Sequence, residues 1–195
     1  MADGTLYAPD LPFGDARLAG VADLFARRAC EDADLIVRAR EDPNAFVEAV
    51  ARIEGQVWIT KQAAAHRMWH DHFTRSGALG GASMAVLLCG ISHGKSLQIH
   101  RWRVLWEIGK NPNLRVLLMS ATSQLPEKML SGIKADIEHN PFVKAVFPHL
   151  RPGRKAGQQR WSNDAIHVDR QDNLTDPSVE CAGLTTKILG SRKDL

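Results

Sequence analysis

The stretch from Met84 to Ser96, Met-Ala-Val-Leu-Leu-Cys-Gly-Ile-Ser-His-Gly-Lys-Ser, constrains this chain more than any other part of it. Its opening apolar residues carry no charge and predict a buried strand. The small residues that follow predict a loop, and the pattern from Leu97 to Ile108 predicts a helix. Strand, glycine-bearing loop, Lys-Ser and helix are the parts of a phosphate-binding loop. In such a loop successive backbone N–H groups point inward, and the helix N-terminus adds partial positive charge. Lys95 would then reach the β/γ-phosphates of ATP, and the Ser96 hydroxyl would hold Mg²⁺. The candidate nucleotide-binding residues are therefore Gly90, Ser92, His93, Gly94, Lys95 and Ser96, with Ser96 as the metal ligand. One departure stands out: the standard pattern wants glycine where Cys89 stands, and Gly90 falls one place late. The competing reading is a glycine-rich strand-to-helix turn with a solvated Lys95.

The rest of the chain is read around that loop. Its 195 residues suit one domain, or one domain with a helical appendage, and 44% hydrophobic residues supply a core. No apolar run approaches the ~20 residues of a membrane span, and the acidic, polar start resembles neither a signal nor a transit peptide. Cys30, Cys89 and Cys181 are odd in number and widely spaced, which argues against a disulfide framework and for a reducing cytoplasm. Charge is unevenly placed. Residues 1–56 hold 11 acidic and 6 basic side chains, whereas residues 57–195 hold 11 acidic and 19 basic. The basic part contains the phosphate loop, as suits a polyanionic ligand. The expected domains are thus an acidic helical region, 1–56, and a nucleotide-binding region, 57–195.

Along the chain, residues 1–14 form a Gly/Pro-bearing lead-in, and a helix is expected from Asp15. Asp42-Pro43 marks the start of another, with Asp42 as N-cap, Phe46, Val47, Val50 and Ile53 on its apolar side, and Gly55 as its end. Thr60 can cap a helix from Gln62 to about Phe73. Its His66 and His70 stand at a zinc-compatible spacing, but no Glu or Cys completes a ligand set. An amphipathic helix with a Trp69/Phe73 core edge is the simpler reading, and Gln62 is a candidate for pairing with the adenine edge. Ser76 to Gly81 reads as a flexible link. After the phosphate-loop helix, stopped by Gly109 and Pro112, Leu114–Met119 predicts a second buried strand, completing a βαβ unit of a parallel sheet. A helix from about Ser123 to His139 carries Leu125, Met129, Ile133 and Ile137 in a stripe. The basic loop Arg151 to Arg160 could touch DNA phosphates, and Trp161–Val168 and Val179–Leu184 predict a hairpin-like strand pair. The expected fold class is α/β, an incomplete P-loop NTPase-type parallel sheet with an N-terminal helical appendage and a β-hairpin near the C-terminus.

ATP hydrolysis also needs an acidic residue at the end of a neighbouring buried strand and a carboxylate to orient water. No apolar run followed by two carboxylates occurs, and Ala165-Ile-His-Val-Asp169 is only a rough candidate.

Residues from about 57 onward resemble the start of the ATPase domain of a tailed-phage terminase large subunit, the DNA-packaging motor. The resemblance rests on four features: the apolar strand into Ser92-His-Gly-Lys-Ser96, Arg115-Val-Leu-Leu-Met-Ser-Ala-Thr122, Ile133-Lys-Ala-Asp-Ile-Glu-His-Asn140 leading to Phe147-Pro148 and Trp161, and Gly190-Ser-Arg-Lys-Asp194. In that family the last segment immediately precedes the Walker B strand, so the resemblance implies that the chain stops short of that strand and of the nuclease domain. Members often carry an arginine in or beside the phosphate loop, where this chain has Cys89, Gly90 and Ile91. The resemblance implies ATP and Mg²⁺ as cofactors, double-stranded DNA, a portal and a small terminase subunit as partners, a homo-oligomeric ring, no membrane, and the host cytoplasm. It also implies that this chain alone binds ATP without hydrolysing it efficiently. Two alternatives remain: a small P-loop kinase or helicase-like ATPase using Asp169, with Arg151, Arg154 and Arg160 as a lid, and a non-hydrolysing interaction remnant.

Overall fold

The computed structural model describes residues 32–53, 56–57, 61–78, 84–155, 157, 159–172, 175–184 and 194. The chain divides into two compact units, 1–34 and 35–195. The helix expected from Asp15, the Thr60 cap, Gly80-Gly81 and Gly190–Lys193 lie outside the described residues.

The second unit is mixed α/β. Residues 35–41 are helical (α1), followed by α2 (Pro43–Val50), the two-residue strands β1 (Arg52–Ile53) and β2 (Gln56–Val57), and α3 (Ala64–Ala78). A helix then runs from Ser96 to Lys110, wound as a π-helix over Ser96–Arg103 and as α4 over Val104–Lys110. β3 (Val116–Ser120), α5 (Gln124–His139), α6 (Pro141–Val146), β4 (Ala165–Ile166) and β5 (Val179–Gly183) complete it. No helix among the described residues is long and apolar enough to cross a membrane.

Local chemistry explains several boundaries. The Asp42 side chain accepts the Asn44 N–H at 2.8 Å and Pro43 takes the first turn of α2, whose Phe46, Val47 and Val50 are fully buried. α2 ends at Val50, not near Gly55, because Arg52 and Ile53 turn into an antiparallel ladder with Val57 and Gln56. Although the sequence assigns α2 to an acidic appendage, it is built into the common core: the Phe46 and Phe147 rings stand 5.6 Å apart. The Trp106 indole N–H donates to the Ala39 carbonyl at 3.0 Å, tying α1 to α4. Asn140 closes α5 and caps α6, its side-chain oxygen accepting from Phe142 and Val143. α3 extends to Ala78, so the expected link at Ser76 is helical.

Gly109 has a role beyond stopping a helix. The helix continues through Lys110, and a Cβ at Gly109 would overlap the buried Phe147 ring. Glycine here permits a close approach between α4 and the segment after α6.

The sheet has the order β3-β5-β4, with β3 and β5 parallel and β4 antiparallel to β5. The expected pairing of the two C-terminal strands is present, in short form. α5 packs on β3 and β5, presenting Met129, Ile133 and Ile137. The parallel sheet expected around the phosphate loop differs. Met84–Leu88 is not a buried strand: it has no ladder partner among the described residues, and Met84, Val86 and Leu88 are 88%, 63% and 90% exposed. A strand is buried by its neighbours on either edge, and among the described strands β3 pairs with β5 and not with this stretch.

Candidate functional site: the loop before the π-wound helix

Residues Cys89 to Leu97 wrap a cup of about 370 Å³. Two left-handed residues make the curl, Ser92 at φ 65° and Gly94 at φ 75°. For Gly94 this conformation suits a residue without Cβ, whereas Ser92 adopts it against the preference of an L side chain. Gly90 has a different task. A Cβ there would come within 2.8 Å of His93 Cε1, so its bareness admits the folded-back His93 ring, whose Nδ1 donates to the Ile91 carbonyl at 2.9 Å. The glycine displaced by one place from the standard pattern is thus used inside the loop.

The first backbone bond closing onto the helix is Gln98 N–H to Gly94 O at 2.9 Å. Such a helix start leaves amides without an intrahelical acceptor, able to meet an anion. Lys95 is exposed, and among the described residues its ammonium has no hydrogen-bonding or ion-pair partner. Ser96 follows, half-buried, at the first turn.

Behind the loop lies a polar network that pattern reasoning missed. Gln62 and Gln98, 3% and 1% exposed, exchange two amide bonds at 2.9 and 3.1 Å. The Gln98 amide nitrogen also donates to His66 Nδ1 at 3.2 Å, and its oxygen accepts from His70 Nε2 at 3.0 Å. His66 Nε2 donates in turn to the His93 carbonyl at 3.0 Å. The chain of roles is self-consistent: His66 accepts at Nδ1 and donates at Nε2, and His70 donates at Nε2. The loop is thereby tied through His66 to a buried hub on the π-wound segment. Burial holds the His70 pKa below the ordinary imidazole value, and its Nδ1 has no partner among the described residues. His66 and His70 do share a helix face, as their spacing suggested, but they converge on Gln98. No cluster of three metal-ligating side chains occurs among the described residues. Gln62, considered for reading adenine, has its amide committed to Gln98.

The π winding spans eight residues, far longer than the single-turn bulges usual inside helices. It keeps Gln98 and Trp102 buried together and carries Arg101 across to Asp136 of α5, with Arg101 Nε and Nη2 donating at 2.8 and 3.0 Å. Arg103, also buried, donates to the His70 carbonyl and to Thr74 Oγ1, fixing α3 against the same helix. Nothing in the residue order announces these partners. The glutamines look ordinary in sequence, and only their joint burial reveals them.

The remaining candidates lie elsewhere. Asp169 is paired with Arg151 at 2.8 Å and lines a separate cavity with His149, Lys155 and Arg170 that shares no residue with the cup. Arg160 pairs with Asp164. Of the residues that a compact kinase would need, Asp169 and Arg151 are thus engaged with each other, and Arg160 with Asp164. No family model matches this chain, and no curated protein or solved structure is detectably similar to it.

Proposed function

We propose that residues 89–97 hold the triphosphate of ATP and that the chain is the nucleotide-binding part of a DNA-packaging ATPase of the terminase large-subunit kind, with an incomplete P-loop NTPase-type sheet. The observation that carries the nucleotide reading is the curled loop itself: left-handed Ser92 and Gly94 directly before a helix start, followed by an exposed ammonium and a hydroxyl. That arrangement supplies backbone donors, one mobile positive charge and one oxygen ligand in the order a polyphosphate needs. The packaging role rests on the sequence resemblance alone, with double-stranded DNA, the portal and the small subunit as its implied partners.

The residues present fit Mg²⁺ in one respect. Ser96 offers a hydroxyl at the helix start, and Mg²⁺ commonly takes one or two protein ligands, the remainder being phosphate and water. Bound there, the ion would neutralise phosphate charge. Lys95 would bind and orient the β/γ-phosphates, and the loop amides would fix their position. His66 would hold the His93 peptide in place rather than touch the ligand. No residue among those described is assigned to activate water, so binding without efficient turnover is the expected behaviour of this chain.

Lys95→Ala tests the reading. Because the side chain is exposed and has no partner among the described residues, the substitution should abolish Mg·ATP binding by calorimetry and leave the melting temperature unchanged. Wild-type affinity in this variant would overturn the assignment.

A further inference from the structure

The cavity of about 490 Å³ beside the turn from α4 into β3 is a second place where positive charge gathers. Backbone pairing makes its wall. Gly153 N–H donates to the His167 carbonyl at 2.9 Å and Asp169 N–H to the Arg151 carbonyl at 2.8 Å, so residues 151–153 run antiparallel to 167–169. That pairing sets Arg151 against Asp169 and brings Lys155 to Arg170, while Asn113 joins the wall from the turn before β3.

Among the described lining residues, the cations Arg151, Lys155 and Arg170 stand against a single carboxylate, Asp169, and Arg151 pairs with it. The described hydrogen bonds of the other two cations go to neutral acceptors. Lys155 Nζ donates to the Arg170 and Gln171 carbonyls. Arg170 Nη2 donates to the Asp176 carbonyl at 2.6 Å and to His167 Nδ1 at 3.2 Å.

Arg170 decides the reading. It is 2% exposed, yet Nε and Nη1, which carry most of its N–H groups, have no acceptor among the described residues. A buried guanidinium with unmade hydrogen bonds is destabilising, and an anion completing them removes that penalty. Burial, and after it the Arg115 guanidinium, push the Arg170 pKa down, as expected where positive charge exceeds what the neighbours neutralise. Asn113 carries the complementary defect. Its Nδ2 donates to Asp172 at 2.6 Å, and its buried Oδ1 has no donor among the described residues. A phosphate group brings acceptors for Arg170 and Lys155, and a hydroxyl on the same ligand brings a donor for Asn113.

We propose that this cavity binds a terminal phosphate group, as the free ion or a small phosphomonoester, through Arg170 and Lys155, with Asn113 accepting from a hydroxyl of the same ligand. A compact terminal phosphate can enter a recess to reach a buried guanidinium, whereas the diester backbone of a stiff duplex cannot. The cavity shares no residue with the cup at 89–97, so the two sites stand or fall separately.

The test uses the full chain carrying Lys95→Ala, which removes the ammonium of the cup. Inorganic phosphate and ribose 5-phosphate are titrated at constant ionic strength against chloride, with calorimetry and the Arg170 Nε–H resonance as readouts. Both ligands should shift that resonance saturably, and chloride should not. Tighter binding of ribose 5-phosphate assigns the ester as the source of the phosphate group; equal or tighter binding of inorganic phosphate assigns the free ion. Lys155→Ala, at an exposed position, should weaken binding by about tenfold or more through loss of a charge-assisted hydrogen bond. Arg154→Ala, exposed and outside the lining, should leave affinity unchanged. Arg170→Gln should abolish binding, and if that variant does not fold, the resonance and Lys155→Ala decide the matter. No saturable shift with either ligand, or wild-type affinity in Lys155→Ala, would overturn the proposal. So would equal losses in Lys155→Ala and Arg154→Ala, the behaviour of a diffuse basic surface of the kind that meets nucleic acid.

Discussion

Replacing Gln98 with alanine is the most informative perturbation of the site's support. The side chain is 1% exposed, and its amide meets Gln62 twice, His66 once and His70 once, at 2.9 to 3.2 Å. Truncation leaves both ends of the Gln62 amide and the His70 Nε2–H without partners in a buried site. Each stranded polar group costs about 1–3 kcal/mol. Water entering the vacated space can satisfy part of the set. The net loss is therefore about 3–5 kcal/mol, with hydrogen bonds to His70 and Gln62 contributing most. In a chain of this length each kcal/mol moves the melting temperature by about 2–4 °C, so the expected fall is about 6–20 °C. Thermal unfolding followed by circular dichroism measures it. The variant should also lose ATP affinity by about tenfold or more, because His66 no longer holds the His93 carbonyl from a fixed position. Lys95→Ala should separate the two effects, losing affinity at unchanged stability. A melting temperature within about 2 °C of wild type for Gln98→Ala would refute the claim that the glutamine pair is a structural hub.

Other expectations follow from single features. Gly109→Ala drives a Cβ into the buried Phe147 ring; despite alanine's better helix propensity, denaturant unfolding should show a net loss of about 1–3 kcal/mol, and a gain would contradict the packing described. Stability should fall on acidification. Burial lowers the His70 pKa in the folded state below the 6.5 of a free imidazole, so the unfolded chain binds the proton first. The contribution is fully present above about pH 6.5 and declines below it, by up to about 1.4 kcal/mol per pH unit for this residue. Urea unfolding at pH 7.5 and 5.5 should show a smaller difference in His70→Gln. Burial also pushes the Cys181 thiol up to about 12, whereas Cys89 sits half-buried in the cup wall. In a Cys30→Ser background a thiol reagent at pH 8 should label Cys89 rapidly and Cys181 only on unfolding, and Mg·ATP should slow the Cys89 reaction.

Much of the helical framework was legible in the residue order, because its signals are local. Asp42-Pro43 caps α2 as the sequence implies, the Met129/Ile133/Ile137 stripe faces the core, and Asn140-Pro141 separates α5 from α6. Capping, helical periodicity and proline placement act within a few residues and survive any tertiary context. The loop was legible for the same reason: Gly94-Lys95-Ser96 before an amphipathic run specifies a turn into a helix, and Gly94 takes the left-handed conformation.

What depends on distant partners was decided only by the tertiary structure. Met84–Leu88 has the composition of a buried strand, yet burial requires neighbours, and composition cannot supply them. Gly90 looked like a misplaced pattern residue until the His93 ring was seen folded over it. His66 and His70 carried a spacing that two chemistries share, and the buried Gln62–Gln98 pair selected one of them. The sequence alone thus determined which segments coil and where the chain curls into a cup. Packing determined what each polar side chain meets, because a hydrogen bond between residues 36 positions apart leaves no trace in the order of residues around either one.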